Sequence, residues 1–240
     1  MQLEGKIALV TGAGKGIGRA IAIGMAEQGA DVAILSRTRQ DLEDVAKEII
    51  NLGRKAYIVT ADVSKVSDIE EAVRDVQSQT NRIDILVNNA GMNIRTPAID
   101  VTEEDWNKIM DTNLKSAFFL SREVARIMKE QNTGRIINIS SVAGCVAIRT
   151  GVVYGAAKAG MIHMTKILAM EFAKYGINVN GIGPWYFKTP LTEKVLSNKE
   201  YLDEVISRTP MGRVGELKEL VGPAVFLASD SSSYITGQTL

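Results

Sequence analysis

Directly after the apolar run Ile7–Val10 the chain reads Thr11-Gly12-Ala13-Gly14-Lys15-Gly16-Ile17-Gly18, followed by helical periodicity to about Gln28. A strand that ends on glycines and passes straight into a helix opens a βαβ unit. Its turn lets the backbone approach a pyrophosphate, which then rests on the helix N-terminus. The spacing here, Gly-x-x-x-Gly-x-Gly, is one residue longer than the G-x-G-x-x-G form. A plain tight turn would also use glycines, but a turn after the first strand favours a dinucleotide site. Gly12, Gly14, Lys15, Gly16, Ile17 and Gly18 are its expected contacts.

The rest of the chain repeats the rhythm. Asp31–Leu35, Tyr57–Val59, Ile83–Val87, Ile136–Ile139 and Ile177–Ile182 are short apolar runs. Between them Asp41–Ile50, Ser67–Gln79, Glu103–Lys129 and Val152–Lys174 carry apolar residues at helical spacing. Runs with so little polar alternation fit strands covered on both faces. Right-handed crossovers then give an α/β fold, a doubly wound parallel sheet of Rossmann type with helices on both faces. No repeat or linker divides the chain, so residues 1–240 are expected to form one nucleotide-binding catalytic domain.

Composition excludes several other classes. Lys+Arg and Asp+Glu both number 28, so no basic excess draws the chain to nucleic acid or an anionic membrane. One cysteine rules out a disulfide framework and a cysteine zinc site. The start MQLEGKIALV lacks the pattern of a signal peptide, and no stretch approaches the ~20 apolar residues of a membrane span. A cytoplasmic location without a metal is the expectation.

The second strand ends in Ser36-Arg37-Thr38-Arg39, with no acid before Asp41. A carboxylate at the strand end would bind the ribose 2′-hydroxyl of NAD and repel a 2′-phosphate, whereas Arg37 can pair with that phosphate bidentately. With Ser36 beside it and Lys15 adding a second cation, NADP is favoured over NAD, although a solvated arginine is the plainer reading.

Tyr154 and Lys158 stand at i and i+4, on one helical face, and Ser141 follows the run Ile136–Ile139. Together with Thr11–Gly18, Asp62-Val63, Asn88-Asn89-Ala90-Gly91 and Asn113 in Thr-Asn-Leu, these segments resemble the short-chain dehydrogenase/reductase family over nearly the whole chain. The resemblance implies nicotinamide-dependent carbonyl/alcohol chemistry, usually in a homotetramer. It casts Tyr154 as general acid or base, Lys158 as its electrostatic partner and a cofactor ribose contact, and Ser141 as a hydrogen-bond donor to the substrate oxygen. Asn113 would hold a water that links Lys158 to solvent. Asp62 and Val63 would border the adenine, and Asn89, Ala90 and Gly91 would line the groove, with Pro184, Phe187 and Thr189 completing the cofactor contacts. For work near neutrality the Tyr154 pKa of ~10 has to fall by ~2–3 units. A charge at ~4 Å in an effective dielectric of ~20 supplies about 4 kcal/mol, the size required.

Arg95 and Arg149, with Lys188, are candidate contacts for a carboxylate or phosphate on the substrate, although solvent or another subunit is nearly as good a destination. The stretches Asn93–Pro97, Gly183–Pro190 and Arg208–Pro210 are similar to the gluconate 5-dehydrogenase and keto-deoxygluconate dehydrogenase subgroup, whose members interconvert a sugar-acid hydroxyl and its ketone. The alternative is a 3-oxoacyl-carrier-protein reductase, whose acidic partner would dock on Arg126, Lys129 and Arg135. A non-catalytic NADP sensor is a remote third, disfavoured because Tyr154 and Lys158 are both present. Trp185 replaces the family's usual glycine and is expected to narrow the pocket, with Tyr186 and Phe187 as a lid or an apolar plug. Relatives continue beyond Gly237–Leu240 through another strand, so the sheet is expected to lack part of an edge. Cys145 is read as a small apolar filler and His163 as a packing or surface residue.

Overall fold

The computed structural model describes residues 1–149 and 151–240. Six strands form one sheet in the order β3-β2-β1-β4-β5-β6: β1 (Ile7–Thr11), β2 (Asp31–Ser36), β3 (Ala56–Thr60), β4 (Ile85–Asn88), β5 (Gly134–Ile139) and β6 (Ile177–Ile182). Every neighbouring pair is parallel. All residues of β1 and β4 are buried, as expected for unalternating strands covered on both faces.

Alternation of the side chains splits the core in two. On one face Ala8, Val10, Val32 and Ile34 pack against α1 (Gly16–Glu27), α2 (Arg39–Asn51) and a late helix, Val221–Ala228. On the other, Leu9, Ala33 and Leu35 pack against α3 (Val66–Thr80) and two longer helices, Ser116–Gln131 and Val152–Phe172. The chain builds β1, β2 and β3 outward in one direction, then returns to place β4 on the far side of β1. The loops leaving β1 and β4 therefore diverge, and this switch point opens a crevice above the strand ends.

Three features depart from the sequence reading. The single helix expected over Glu103–Lys129 is α4 (Glu103–Met110), a π-turn (Asp111–Lys115) and α5 (Ser116–Gln131). After α6 (Val152–Phe172) and β6, the chain adds α7 (Glu193–Leu196), α8 (Lys199–Ser207) and α9 (Val221–Ala228). At the sheet edge, Gln238–Leu240 runs beside β6: Gly181 N donates to the Gln238 carbonyl at 2.7 Å and Gly183 N to the Leu240 carbonyl at 2.7 Å. This contact is one isolated bridge, Gly181 beside Thr239, and not a seventh strand. Cys145 is exposed, so it fills no apolar gap.

Candidate active site

The crevice holds a cavity of about 420 Å³ over the C-terminal ends of the strands. Of the residues expected to contact the cofactor, Gly12, Gly14, Lys15, Gly16, Ile17, Ser36, Arg37, Asp62, Val63, Asn89, Ala90, Gly91, Tyr154, Lys158 and Thr189 line it. Three do not. Gly18 lies beneath the floor, and Pro184 and Phe187 line a neighbouring pocket. Sequence reasoning left out Asp41, Met92, Thr112 and Ser140, which also line the groove. Asp41, in the sequence an acid beyond the strand end, pairs its carboxylate with Lys15 at 3.0 Å.

The groove's floor is built for close backbone approach. A side chain on Gly18 would put its Cβ 2.3 Å from the Gly12 carbonyl oxygen and 2.4 Å from Asn89 Nδ2. Gly12 itself has φ +63°, a left-handed conformation that glycine adopts without strain. Beneath the seam, the buried Thr11 hydroxyl donates to the Val87 carbonyl at 3.2 Å and accepts from Asn89 N and Ala90 N at 3.0 Å each. Asn89 Nδ2 then donates to the Thr11 carbonyl at 2.9 Å, closing the tie between the β1 and β4 loops.

These residues fit a dinucleotide. No side chain caps the N-terminus of α1, so its first-turn N–H groups are left for an anion at the glycine turn. A Cβ on Gly91 would come 2.7 Å from Asn113 Oδ1, so the far wall is also closed to bulk. At the other end of the groove Arg37 is exposed and makes no ion pair among the described residues. Asp62 accepts from Ser64 N at 3.0 Å and from the Ser64 hydroxyl at 2.8 Å. Those bonds, with the nearby Arg37 and Lys65 charges, outweigh burial and hold its carboxyl below the usual range.

Where the groove meets the smaller pocket stand Tyr154 and Ser140, which line both. Lys158 is 3% exposed, its Nζ donating to the Ile139 carbonyl at 2.8 Å and lying 5.6 Å from the centre of the Tyr154 ring. Burial without a carboxylate partner pulls its pKa down to about 8. The fall anticipated for the Tyr154 phenol is not what the surroundings produce. Burial pushes it up, and the Ser141 hydroxyl and the Arg95 charge offset this only in part. At neutral pH the phenol keeps its proton, the form in which it can donate to a carbonyl oxygen.

Asn113 occupies the π-turn, a local insertion that often marks functional positions. Its amide is fully engaged: Nδ2 donates to the Met92 carbonyl at 2.9 Å and the Ile109 carbonyl at 2.8 Å, while Oδ1 accepts from Met92 N at 3.2 Å. The side chain thus fixes the loop after β4, and both amide hydrogens are committed to carbonyls rather than to a water.

The smaller pocket, about 100 Å³, is lined by Ser141, Tyr154, Asn93, Arg95 and the segment Pro184–Phe187. Trp185 does form a wall, as expected from its bulk, with its ring edge-on to Tyr186 at 4.9 Å between centres. Arg95 faces this space and makes no ion pair among the described residues. Arg149 does not line it: its guanidinium is drawn away to Glu204 at 2.5 Å. Lys188 is exposed and lines neither space. Asn93, missed in the sequence beside Arg95, lines the pocket. Among the described residues no group of three or more His, Cys, Asp or Glu side chains is placed to hold a metal ion, and no helix is long and apolar enough to cross a membrane.

A family model described as "Enoyl-(Acyl carrier protein) reductase" matches residues 12–240. The chain is 41% identical over 239 residues to a tropinone reductase homolog of Arabidopsis thaliana, covering 99% of this chain and 90% of that one. It is 38% identical to gluconate 5-dehydrogenase of Gluconobacter oxydans, covering 99% and 93%. It is 39% identical to a 3-oxoacyl-[acyl-carrier-protein] reductase of Thermotoga maritima, covering 100% and 97%. Among solved structures, a gluconate 5-dehydrogenase from Burkholderia cenocepacia in complex with NADP and tartrate superimposes with a TM-score of 0.96, at 38% identity, over 100% of this chain and 94% of that one. With the glycine turn, the parallel sheet and the Ser141, Tyr154 and Lys158 centre in place, the chain belongs to the short-chain dehydrogenase/reductase family of NAD(P)-dependent oxidoreductases.

Proposed function

We propose that the protein interconverts a secondary alcohol and a ketone of a sugar acid with NADP(H), all 240 residues acting as one catalytic domain. The observation that carries this is the small pocket: an unpaired arginine and Tyr154 share a space of about 100 Å³, room for a short anionic substrate. The nicotinamide, when bound, exchanges the hydride with the substrate carbon. In the reductive direction Tyr154 Oη–H donates its proton to the carbonyl oxygen, and the Ser141 hydroxyl steadies the charge that develops there. Lys158, anchored on the Ile139 carbonyl, keeps a positive charge beside the phenol at neutral pH and stabilises the phenolate left behind. Arg95 takes the substrate carboxylate. Its charge favours an acid over a neutral ketone.

Arg37 and Ser36 support a preference for NADP, with the 2′-phosphate on the guanidinium. Asp41 works against it, and its ion pair with Lys15 reduces that repulsion. Of the three docking cations that the carrier-protein alternative needs, Arg135 is withdrawn, while Arg126 and Lys129 stay exposed. Arg135 belongs to the start of β5, the end of the sheet opposite the crevice, and it is largely buried beside Asp230. Arg126 pairs with Glu123 at 2.7 Å, and Lys129 lies over Tyr175. Assembly as a homotetramer and a cytosolic setting belong to the same reading, and sedimentation equilibrium tests the first. NADPH oxidation with 5-keto-gluconate beside a 3-oxoacyl thioester tests the whole. Turnover of the keto acid alone supports it, and turnover of the thioester alone overturns it.

A further inference from the structure

Behind Arg95 the wall of the small pocket carries a chain of polar contacts with no part in the proton transfer. Tyr186 lines the pocket, and its phenol is hydrogen-bonded to the phenol of Tyr201 on α8. The two rings meet edge-on, 5.9 Å between centres and 74° apart. Trp185 packs against the Tyr186 ring, and its indole N–H donates to Thr209 Oγ1 at 2.9 Å just beyond α8.

Tyr201 is itself held from outside. Its backbone N–H donates to the Asn198 side-chain oxygen, which caps α8, at 2.9 Å. The Arg149 guanidinium lies 5.9 Å from the centre of its ring. Both Arg149 and Arg208 pair with Glu204, three residues along the same helix, at 2.5 and 2.9 Å. Arg149, read from the sequence as a substrate contact, therefore braces the helix that holds the pocket wall.

The chemistry of two adjoining phenols sets a direction. Each has one O–H to donate, and one of the two hydrogens lies in the bond between them. Burial and the Tyr201 bond push the Tyr186 phenol up to about 12, while the Arg95 charge pulls the other way. Tyr186 is then a neutral dipole at physiological pH, bonded to the Tyr201 hydroxyl and sharing the pocket lining with the Arg95 guanidinium. A ring alone would fill the space equally well. The bond to the Tyr201 hydroxyl is what holds the Tyr186 hydroxyl in one place.

We propose that Tyr201 is a positioning residue for substrate recognition: by orienting the Tyr186 hydroxyl it holds the Arg95 guanidinium in place for the carboxylate end of the substrate. This rests on the sugar-acid reading above and adds α8 to the recognition apparatus.

The test is steady-state reduction of 5-keto-gluconate by the wild type, Tyr201→Phe, Tyr186→Phe and the double variant, with NADPH affinity and melting temperature measured on each. Each single variant is expected to raise KM about tenfold, the size of one hydrogen bond, while kcat changes less than twofold. The double variant is expected to match the singles, because both remove one linkage. The inference is overturned if KM stays within twofold, if the two losses multiply, or if NADPH affinity falls in step with KM. Wild-type turnover of the thioester and not the keto acid removes the substrate reading, and this inference with it. Wild-type turnover of the keto acid with an unaltered Tyr201→Phe variant removes this inference alone.

Discussion

Replacing Thr11 by valine keeps the volume and β-branching of a fully buried residue and deletes one oxygen. That oxygen donates to the Val87 carbonyl and accepts from Asn89 N and Ala90 N. Asn89 N and the Val87 carbonyl retain a bond to each other at 3.1 Å, so each loses only part of its satisfaction. Ala90 N is left with no partner. An orphaned amide costs about 1–3 kcal/mol, and the two weakened bonds add about 0.5 kcal/mol each. The expected loss is therefore about 2–4 kcal/mol, or a fall in melting temperature of roughly 6–12 °C for a domain of this size. Because the same oxygen ties the two loops that floor the groove, NADPH affinity should fall as well. Thermal and urea unfolding of Thr11→Val beside Thr11→Ser checks this, since serine keeps the hydroxyl and loses only a methyl group. If the serine variant is as unstable as the valine one, packing rather than the hydrogen-bonded seam governs the position and the reasoning fails.

Tyr154→Phe should lower kcat by about 10²–10⁴-fold, the usual range for one acid–base group, with NADPH affinity within threefold by fluorescence titration. Arg37→Asp should shift the NADP/NAD ratio of kcat/KM by about 10–100-fold toward NAD, the worth of one charge-assisted bond; an unchanged ratio argues against a phosphate at that position. Lys158 titrates near 8 when folded and near 10.5 when unfolded, so the unfolded chain binds the extra proton between those values. Its destabilising effect is complete below about pH 8 and is relieved as pH rises toward 10.5, by about 3 kcal/mol. Urea unfolding of wild type and Lys158→Met at pH 7 and pH 10 should show the gap between them moving in the wild type's favour; parallel profiles would refute the assignment. Arg95→Ala should cost the keto acid at least tenfold in kcat/KM, whereas Arg149→Ala, which breaks an ion pair with a largely exposed arginine, should cost under fivefold. Equal losses would return Arg149 to the pocket.

The strands and the glycine turn were legible because burial on both faces demands uninterrupted apolar runs, and Ile7–Val10, Asp31–Leu35 and Ile177–Ile182 are such runs. Tyr154 and Lys158 were legible because helical spacing alone puts them on one face. Arg149 and Arg95 look alike in the sequence; what separates them is Glu204, some fifty residues away on α8, which competes for one and not the other. The Tyr186–Tyr201 pair was hidden for the same reason, since no local pattern reports a contact between a loop and a later helix. Local periodicity also reads straight through Asp111–Lys115, because one widened turn leaves the apolar spacing on either side intact.

That widened turn has a consequence for how the chain can vary. An α-helix advances about 100° per residue, so one residue accommodated in a π-turn resets the angular phase of everything after it. Deleting a single residue between Asp111 and Lys115 would let α4 and α5 merge into one regular helix and swing one half by about 100° relative to the other. Either the apolar stripe of α5 (Leu120, Val124, Met128) would leave the sheet, or Ile109 and the Asn113 amide would turn away from the loop they hold. The chain's length at this point is thus as constrained as its chemistry, and substitutions there should be tolerated more readily than any change in residue count.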